Sequence, residues 1–199
     1  MDRKALLFVA PFVEGGLFVF GLLLMGGSGS LAPKFLLSWG ATGWALLLNI
    51  PMFVGLYITS RSEWGPITRF NNEIEEKVAP IFANCNIIDL TLIAFLAGTG
   101  EELFFRGWLQ GALASRFGVI PGILFASGIF GFAHYLSPTY AIYAGLTGLY
   151  LGAIYHISGN LYVVMGIHTL YDFVALVYLV RKGNGKDQEL RTTGNAEEN

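Results

Sequence analysis

Charge is scarce in these 199 residues: Asp, Glu, Lys and Arg together make up 13%, where an ordinary soluble domain has about a quarter. That shortage argues against the ordinary soluble class. The single cysteine, Cys85, excludes an intrachain disulfide and is read as an inert thiol. Net charge is −2 with no extended basic stretch, so nucleic acid is not an expected partner. No His-Glu-x-x-His segment occurs, so the local signature of a helical zinc protease is missing.

Apolar residues fill the space that charge leaves. They are 54% of the chain, mean hydropathy is +0.56, and glycine appears 26 times, a frequency that membrane helices tolerate better than soluble ones. The apolar residues come in blocks, and about 20 in succession are enough to cross a bilayer. Six blocks are read, over residues 5–25, 35–59, 87–113, 119–136, 140–157 and 161–180. The expected fold is therefore all-α: a polytopic membrane bundle of about six transmembrane helices around an intramembrane polar cavity. Residues 1–86 would hold two N-terminal transmembrane helices and a polar cytoplasmic loop over 60–86. Residues 87–180 would form a helical core, and 181–199 a disordered polar tail, in one structural domain overall.

The first block follows Arg3 and Lys4 without a convincing cleavage site, and is expected to stay as an anchor. Breakers over 25–34 predict a turn, Asn49 and Pro51 a kink, and Gly98-Thr99-Gly100 a break or tilt. Gly145, Gly148 and Gly152 at helical spacing predict a close helix contact. With six crossings both termini share a side. Arg3, Lys4, Arg61, Arg69, Lys77, Arg181, Lys182, Lys186 and Arg191 fall there, against Lys34 and Arg116 opposite. Nine against two predicts cytoplasmic termini.

Ionisable residues inside such blocks are functional candidates, because each costs roughly 2.5–3.5 kcal/mol on insertion scales. They are Glu14, Glu101, Glu102, Arg106, His134, His168 and Asp172; Asp89 and His156 sit near helix ends and are assigned to the interface. Glu102 and Arg106 are four apart, on one helical face, and can pair. Glu101 points about 100° away and stays free to exchange protons. His168 and Asp172 repeat the four-residue spacing, and His134 lies one turn after Phe130. Three blocks thus bring polar groups to similar depth, where lipid offers no partner.

Spacing leaves three chemistries open. Glu101 and His134 can activate a water while His168 with Asp172 steadies an oxyanion. Alternatively, Glu101, His134, His168 and Asp172 hold a zinc ion. Or the network only pins helices together. Glu14 falls outside these patterns and is expected to pair with a polar group on another helix, with substrate contact as the alternative. Tyr143, Tyr150, Tyr155, Tyr162 and Tyr171 are candidate cavity or packing aromatics.

Glu-Glu-x-x-x-Arg at Glu101, Glu102 and Arg106, followed by Gly107, then Phe-x-x-x-His at Phe130 and His134, then His-x-x-x-Asp at His168 and Asp172, occur in that order. In this the sequence resembles the CPBP family, the type II CAAX prenyl endopeptidases and their bacterial Abi-like relatives. The resemblance covers about residues 87–180. It implies an intramembrane endopeptidase of the glutamic type, with no cofactor expected and zinc as the alternative. It further implies Glu101 and His134 on the water, His168 and Asp172 on the oxyanion, and Glu102, Arg106 and Phe130 in support. Asp172 stands where characterised prenyl-protein proteases often carry Asn, and can donate a hydrogen bond only when protonated. The expected substrate is a membrane-anchored protein or peptide, in the lipid bilayer of a prokaryotic plasma membrane. Some members of the family are linked to bacteriocin immunity, so a non-catalytic protein that binds a peptide or lipid is the rival reading.

Overall fold

The computed structural model describes residues 2–27 and 34–197. Its elements are α1 (Arg3–Gly27), α2 (Trp39–Arg61), α3 (Gly65–Lys77), α4 (Ala79–Phe82), α5 (Ile87–Glu102), a π-helical segment (Leu103–Gln110), α6 (Gly111–Phe117), α7 (Val119–Ala133), α8 (Pro138–Ser158) and α9 (Leu161–Glu197). No strand occurs among the described residues, so the chain is all-α as expected. Most of the turn expected over 25–34 lies outside the described residues. The tail expected from residue 181 falls on the end of α9, where side chains from 184 onward are also outside them.

The chain is an integral membrane protein. α1, α2 and α9 as far as Gly183 are long and apolar enough to cross a bilayer. A fourth span results if α3–α4 and α5–α6 count together across their 110° bend. α7, with 15 residues, reaches only about 22 Å at 1.5 Å per residue. The hydrocarbon core is about 30 Å thick. Three or four spans therefore stand by length and composition, where the sequence is read as six blocks.

α1 and α5 lie side by side and run parallel, tied where they begin. Arg3 donates to both carboxylate oxygens of Asp89, at 2.6 and 2.8 Å. Asp89 also closes the capping box of α5: Asn86 Oδ1 accepts from the Asp89 amide at 3.0 Å, and Asp89 Oδ2 accepts from the Asn86 amide at 2.9 Å. Asp89 is thus buried and paired, not solvated at the interface as expected; His156 is exposed. α9 runs antiparallel to α5, with Leu90 and Ile93 near Leu176 and Val177, Gly98 against Thr169, and Gly107 near Leu161. The described end of α9 consequently lies on the side where α1 begins.

The stretch over 60–86 is not a loop. It folds into α3 and α4, which cross one end of the bundle. Phe70 is buried against Tyr140 and Tyr143, with ring centroids 6.2 and 5.1 Å away. Asn71 Nδ2 donates to the Thr59 carbonyl at 2.8 Å, Ser137 Oγ donates to Glu73 at 2.5 Å, and Lys182 pairs with Glu75. Polar residues suited to a solvated loop also suit the outer face of a helix lying along the bundle, and its apolar face finds neighbours only in the folded chain, on α1, α5, α8 and α9 among others.

Gly98-Thr99-Gly100 does not break the third block either. α5 continues through it, and the irregularity comes later as the π-helical segment. The glycines serve close approach instead. A Cβ on Gly98 would lie 2.6 Å from the Thr169 nitrogen and 2.9 Å from its Cα; one on Gly100 would strike the Glu14 carbonyl. Lipid supplies no hydrophobic force between helices, so backbone contact of this kind carries much of the packing. Gly98→Ala is expected to lower stability by about 1–3 kcal/mol through overpacking. Gly15→Ala, where nothing lies within 4 Å, should gain up to about 1 kcal/mol from helix propensity. Thermal unfolding of the two variants in one detergent checks this; equal melting points would refute the account of α5–α9 packing.

α7 and α8 form an antiparallel hairpin. Ser137 caps α8 by accepting from the Tyr140 amide, and Pro138 fills the first helical position. The Gly145, Gly148 and Gly152 face receives Gly131, Phe130 and Gln110 respectively. At the far end α8 stops on Gly159, whose φ of +58° is left-handed. Asn160 then clamps the chain before α2, accepting from the Leu36 amide at 3.0 Å and donating to its carbonyl at 2.9 Å. α2 rests on α9 through Ala45 against Gly166, Thr42 with Tyr162 at 3.0 Å, and Phe53 stacked on Tyr171.

Candidate active site

Glu101 and Glu102 end α5, Arg106 lies in the π-helical segment, His134 ends α7, and His168 and Asp172 lie on α9. The fold brings all six together around Phe130. π-helical turns are rare and often mark functional sites. Here the wide turn carries Arg106 and Gln110 across to α8.

Arg106 is 2% exposed and Glu102 fully buried. Arg106 Nη1 donates to Glu102 Oε1 at 2.7 Å, as the four-residue spacing predicts, and Nη2 donates to the Gly148 carbonyl at 3.0 Å. The guanidinium also sits 4.6 Å from the centre of the Phe130 ring. Four residues on, Gln110 Nε2 donates to the Gly152 carbonyl at 3.0 Å. Arg106 and Gln110 thus form a two-rung ladder onto α8. Gln110 escapes the sequence reading, although its spacing from Arg106 matches that of Gly152 from Gly148.

A second unforeseen contact sets the histidine on α9. His168 Nδ1 lies 2.8 Å from Glu102 Oε1, the same oxygen that Arg106 holds. A carboxylate only accepts, so the Nδ1 hydrogen of His168 points at Glu102. The other nitrogen, Nε2, faces Asp172 Oδ2 at 3.4 Å and Glu101 Oε2 at 3.9 Å. Glu102 therefore does more than pair with Arg106: it orients the imidazole that Asp172 flanks on the far side.

His134 is oriented by its own helix. Its Nδ1 lies 2.9 Å from the Phe130 carbonyl, which can only accept, so Nδ1 carries hydrogen. Nε2 is turned to Glu101 Oε1 at 3.5 Å. Phe130 packs between the parts, its ring 4.4 Å from that of His134, 6.0 Å from that of His168 and 4.9 Å from that of Phe105. Glu101 Oε2 is buried and accepts no hydrogen bond.

A cavity of about 540 Å³ opens beside this cluster. His134, His168, Asp172 and Glu14 reach its wall, and Tyr143 and Tyr171, whose hydroxyls touch, line it too. Most other lining residues, Leu56, Ile81, Ile93 and Leu176 among them, are apolar. The wall is thus more apolar than the polar cavity expected. Tyr150 and Tyr162 belong to packing instead, bonded to the Leu48 carbonyl and to Thr42. Glu14 does not find the polar partner expected for it: its Oε2 is buried without a hydrogen bond.

Among the described residues no three or more His, Cys, Asp or Glu side chains are placed to hold a metal ion together. As arranged, Glu101, His134, His168 and Asp172 do not fit the zinc site considered from their spacing.

Residues 83–174 match the family model described as type II CAAX prenyl endopeptidase Rce1-like. That stretch holds every residue of the cluster and begins four residues before α5. No curated protein and no solved structure matched the chain.

Proposed function

We propose, from the match of residues 83–174 to the model of the Rce1-like type II CAAX prenyl endopeptidases, that the protein hydrolyses a peptide bond in a membrane-anchored protein or peptide. The observation that carries the mechanism is the facing of Glu101 and His134. With Nδ1 tied to the Phe130 carbonyl, a neutral His134 offers Nε2 only as an acceptor, 3.5 Å from a carboxylate oxygen that is also an acceptor. One water donating a hydrogen to each satisfies both.

Glu101 takes a proton from that water as the oxygen adds to the scissile carbonyl carbon. The carbonyl oxygen becomes an oxyanion facing His168. His168 can donate from Nε2 there only as the imidazolium, since Nδ1 already gives its hydrogen to Glu102; Glu102 and Asp172 are the counter-charges. The C–N bond then breaks, and Glu101 returns the proton to the leaving nitrogen. Glu102, Arg106 and Phe130 position these groups. No metal enters this reading.

Six crossings, with cytoplasmic termini in a prokaryotic plasma membrane, are kept from the sequence as part of this proposal, beyond the three or four spans that length and composition support. The rival, a non-catalytic binder of a peptide or lipid, draws support from the apolar cavity wall.

Hydrolysis leaves a chemical mark that binding does not. The protein in lipid nanodiscs, incubated in ¹⁸O water with peptides bearing an apolar segment, should produce fragments with ¹⁸O in one new C-terminal carboxylate. That yield should survive a zinc chelator. Labelled product that disappears with the chelator and returns with zinc would replace the metal-free mechanism. No labelled product from any peptide would favour the binder.

A further inference from the structure

Glu14 lies outside the matched segment, on α1, and no step above uses it. Its position is set by backbone: the Glu14 carbonyl carbon is 3.1 Å from where a Cβ of Gly100 would stand. The helix contact thus places Glu14 at the level of Glu101, the next residue along α5. Glu14 lines the cavity with His134, His168 and Asp172, within electrostatic range of all three and of Glu101.

A residue that merely pinned α1 to the bundle would have a partner there. Glu14 Oε2 is buried and has none, although an ionisable group within a membrane is costly. Each cation on the wall already has its own counter-charge: the His168 imidazolium has Glu102 and Asp172, and Lys182, the sole Lys or Arg among the described lining residues, pairs with Glu75. The rest of the wall is chiefly apolar. A cavity that offers one unpaired carboxylate within an apolar surface is complementary to an apolar segment bearing one cation. Membrane segments commonly end that way, with Lys or Arg at the cytoplasmic boundary.

We propose that Glu14 is a specificity-determining residue that binds the ammonium or guanidinium of a basic side chain close to the scissile bond. The role rests on the endopeptidase reading. Attraction between the two charges is stronger in such a low-dielectric site than in water, so it selects basic peptides over apolar ones of the same shape.

The test compares peptides that differ only in lysine or norleucine, placed in turn at each position around the cleavage site. Wild-type protein in nanodiscs should cleave the lysine peptide at least tenfold more efficiently, by kcat/KM, at one of those positions. Glu14→Gln should bring that ratio within twofold, chiefly through KM for the lysine peptide. Glu14→Asp, which keeps the charge, should retain a preference of fivefold or more. Equal ratios in wild type and Glu14→Gln would overturn the role of Glu14 alone. A preference lost as fully in Glu14→Asp as in Glu14→Gln would also overturn it, in favour of packing. Absence of cleavage of every peptide would overturn the endopeptidase reading, and this role with it.

Discussion

Glu101→Gln is expected to lower the rate of peptide hydrolysis by roughly 100- to 10,000-fold, the range for loss of a positioned general base. Glutamine has the shape of glutamate but cannot take the proton from water, and neither of the other two carboxylates in the cluster is placed to replace it. Glu102 lies next in sequence, but its Oε1 is held by Arg106 and His168. Asp172 is on the far side of His168 from Glu102, facing Nε2. Folding should withstand the change, because Glu101 Oε2 accepts no hydrogen bond in the folded chain. Mass spectrometry of membrane and secreted peptides, from cells with wild type or variant at matched levels, reads the effect directly. A peptide present only with wild type names the substrate. Cleavage at the wild-type rate in a folded Glu101→Gln protein would sink the water-activation mechanism.

Arg106→Met should produce the largest loss of stability in the chain, about 3–5 kcal/mol, the usual result of removing one partner from a buried ion pair. The change leaves the Glu102 carboxylate in a fully buried site with only His168 as donor. It also deprives the Gly148 carbonyl of its side-chain donor and the Phe130 face of its cation. α5, α7 and α8 meet at that residue, so the damage is not local. Adding Glu102→Gln removes the stranded charge, and the double variant should recover part of the loss despite weakening the hold on His168. Unfolding in detergent across the four proteins of this cycle supplies the coupling. A double variant as unstable as the sum of the singles would mean that the pair is not coupled as the 2.7 Å contact requires.

The sequence is most informative where physics acts along one helix. Backbone groups must be satisfied internally within a bilayer, so blocks over 5–25, 35–59 and 161–180 become α1, α2 and the first part of α9. Residues four apart share a face, which pairs Glu102 with Arg106 and sets Asp172 beside His168. Hydropathy by itself also marks the chain as a membrane protein.

What spacing cannot supply is the rotation and depth of one helix against another. The contact between Glu102 and His168 joins residues 66 apart, and no periodicity in either helix announces it. Whether Gly98 and Gly100 break α5 or admit a neighbour depends on Thr169 and Glu14 lying opposite; with the neighbours in place, the helix runs straight through. The segment over 60–86 reads as a polar loop because its apolar residues are few, yet Phe70 finds Tyr140 and Tyr143 and folds it against the bundle. Glu14 is conspicuous in the sequence, but only the packing of α1 along α5 turns it into the cavity beside Glu101. Local sequence carries the free energy of making each helix and of burying its charges in lipid; the address of each charge is settled by which backbones can come close enough to touch.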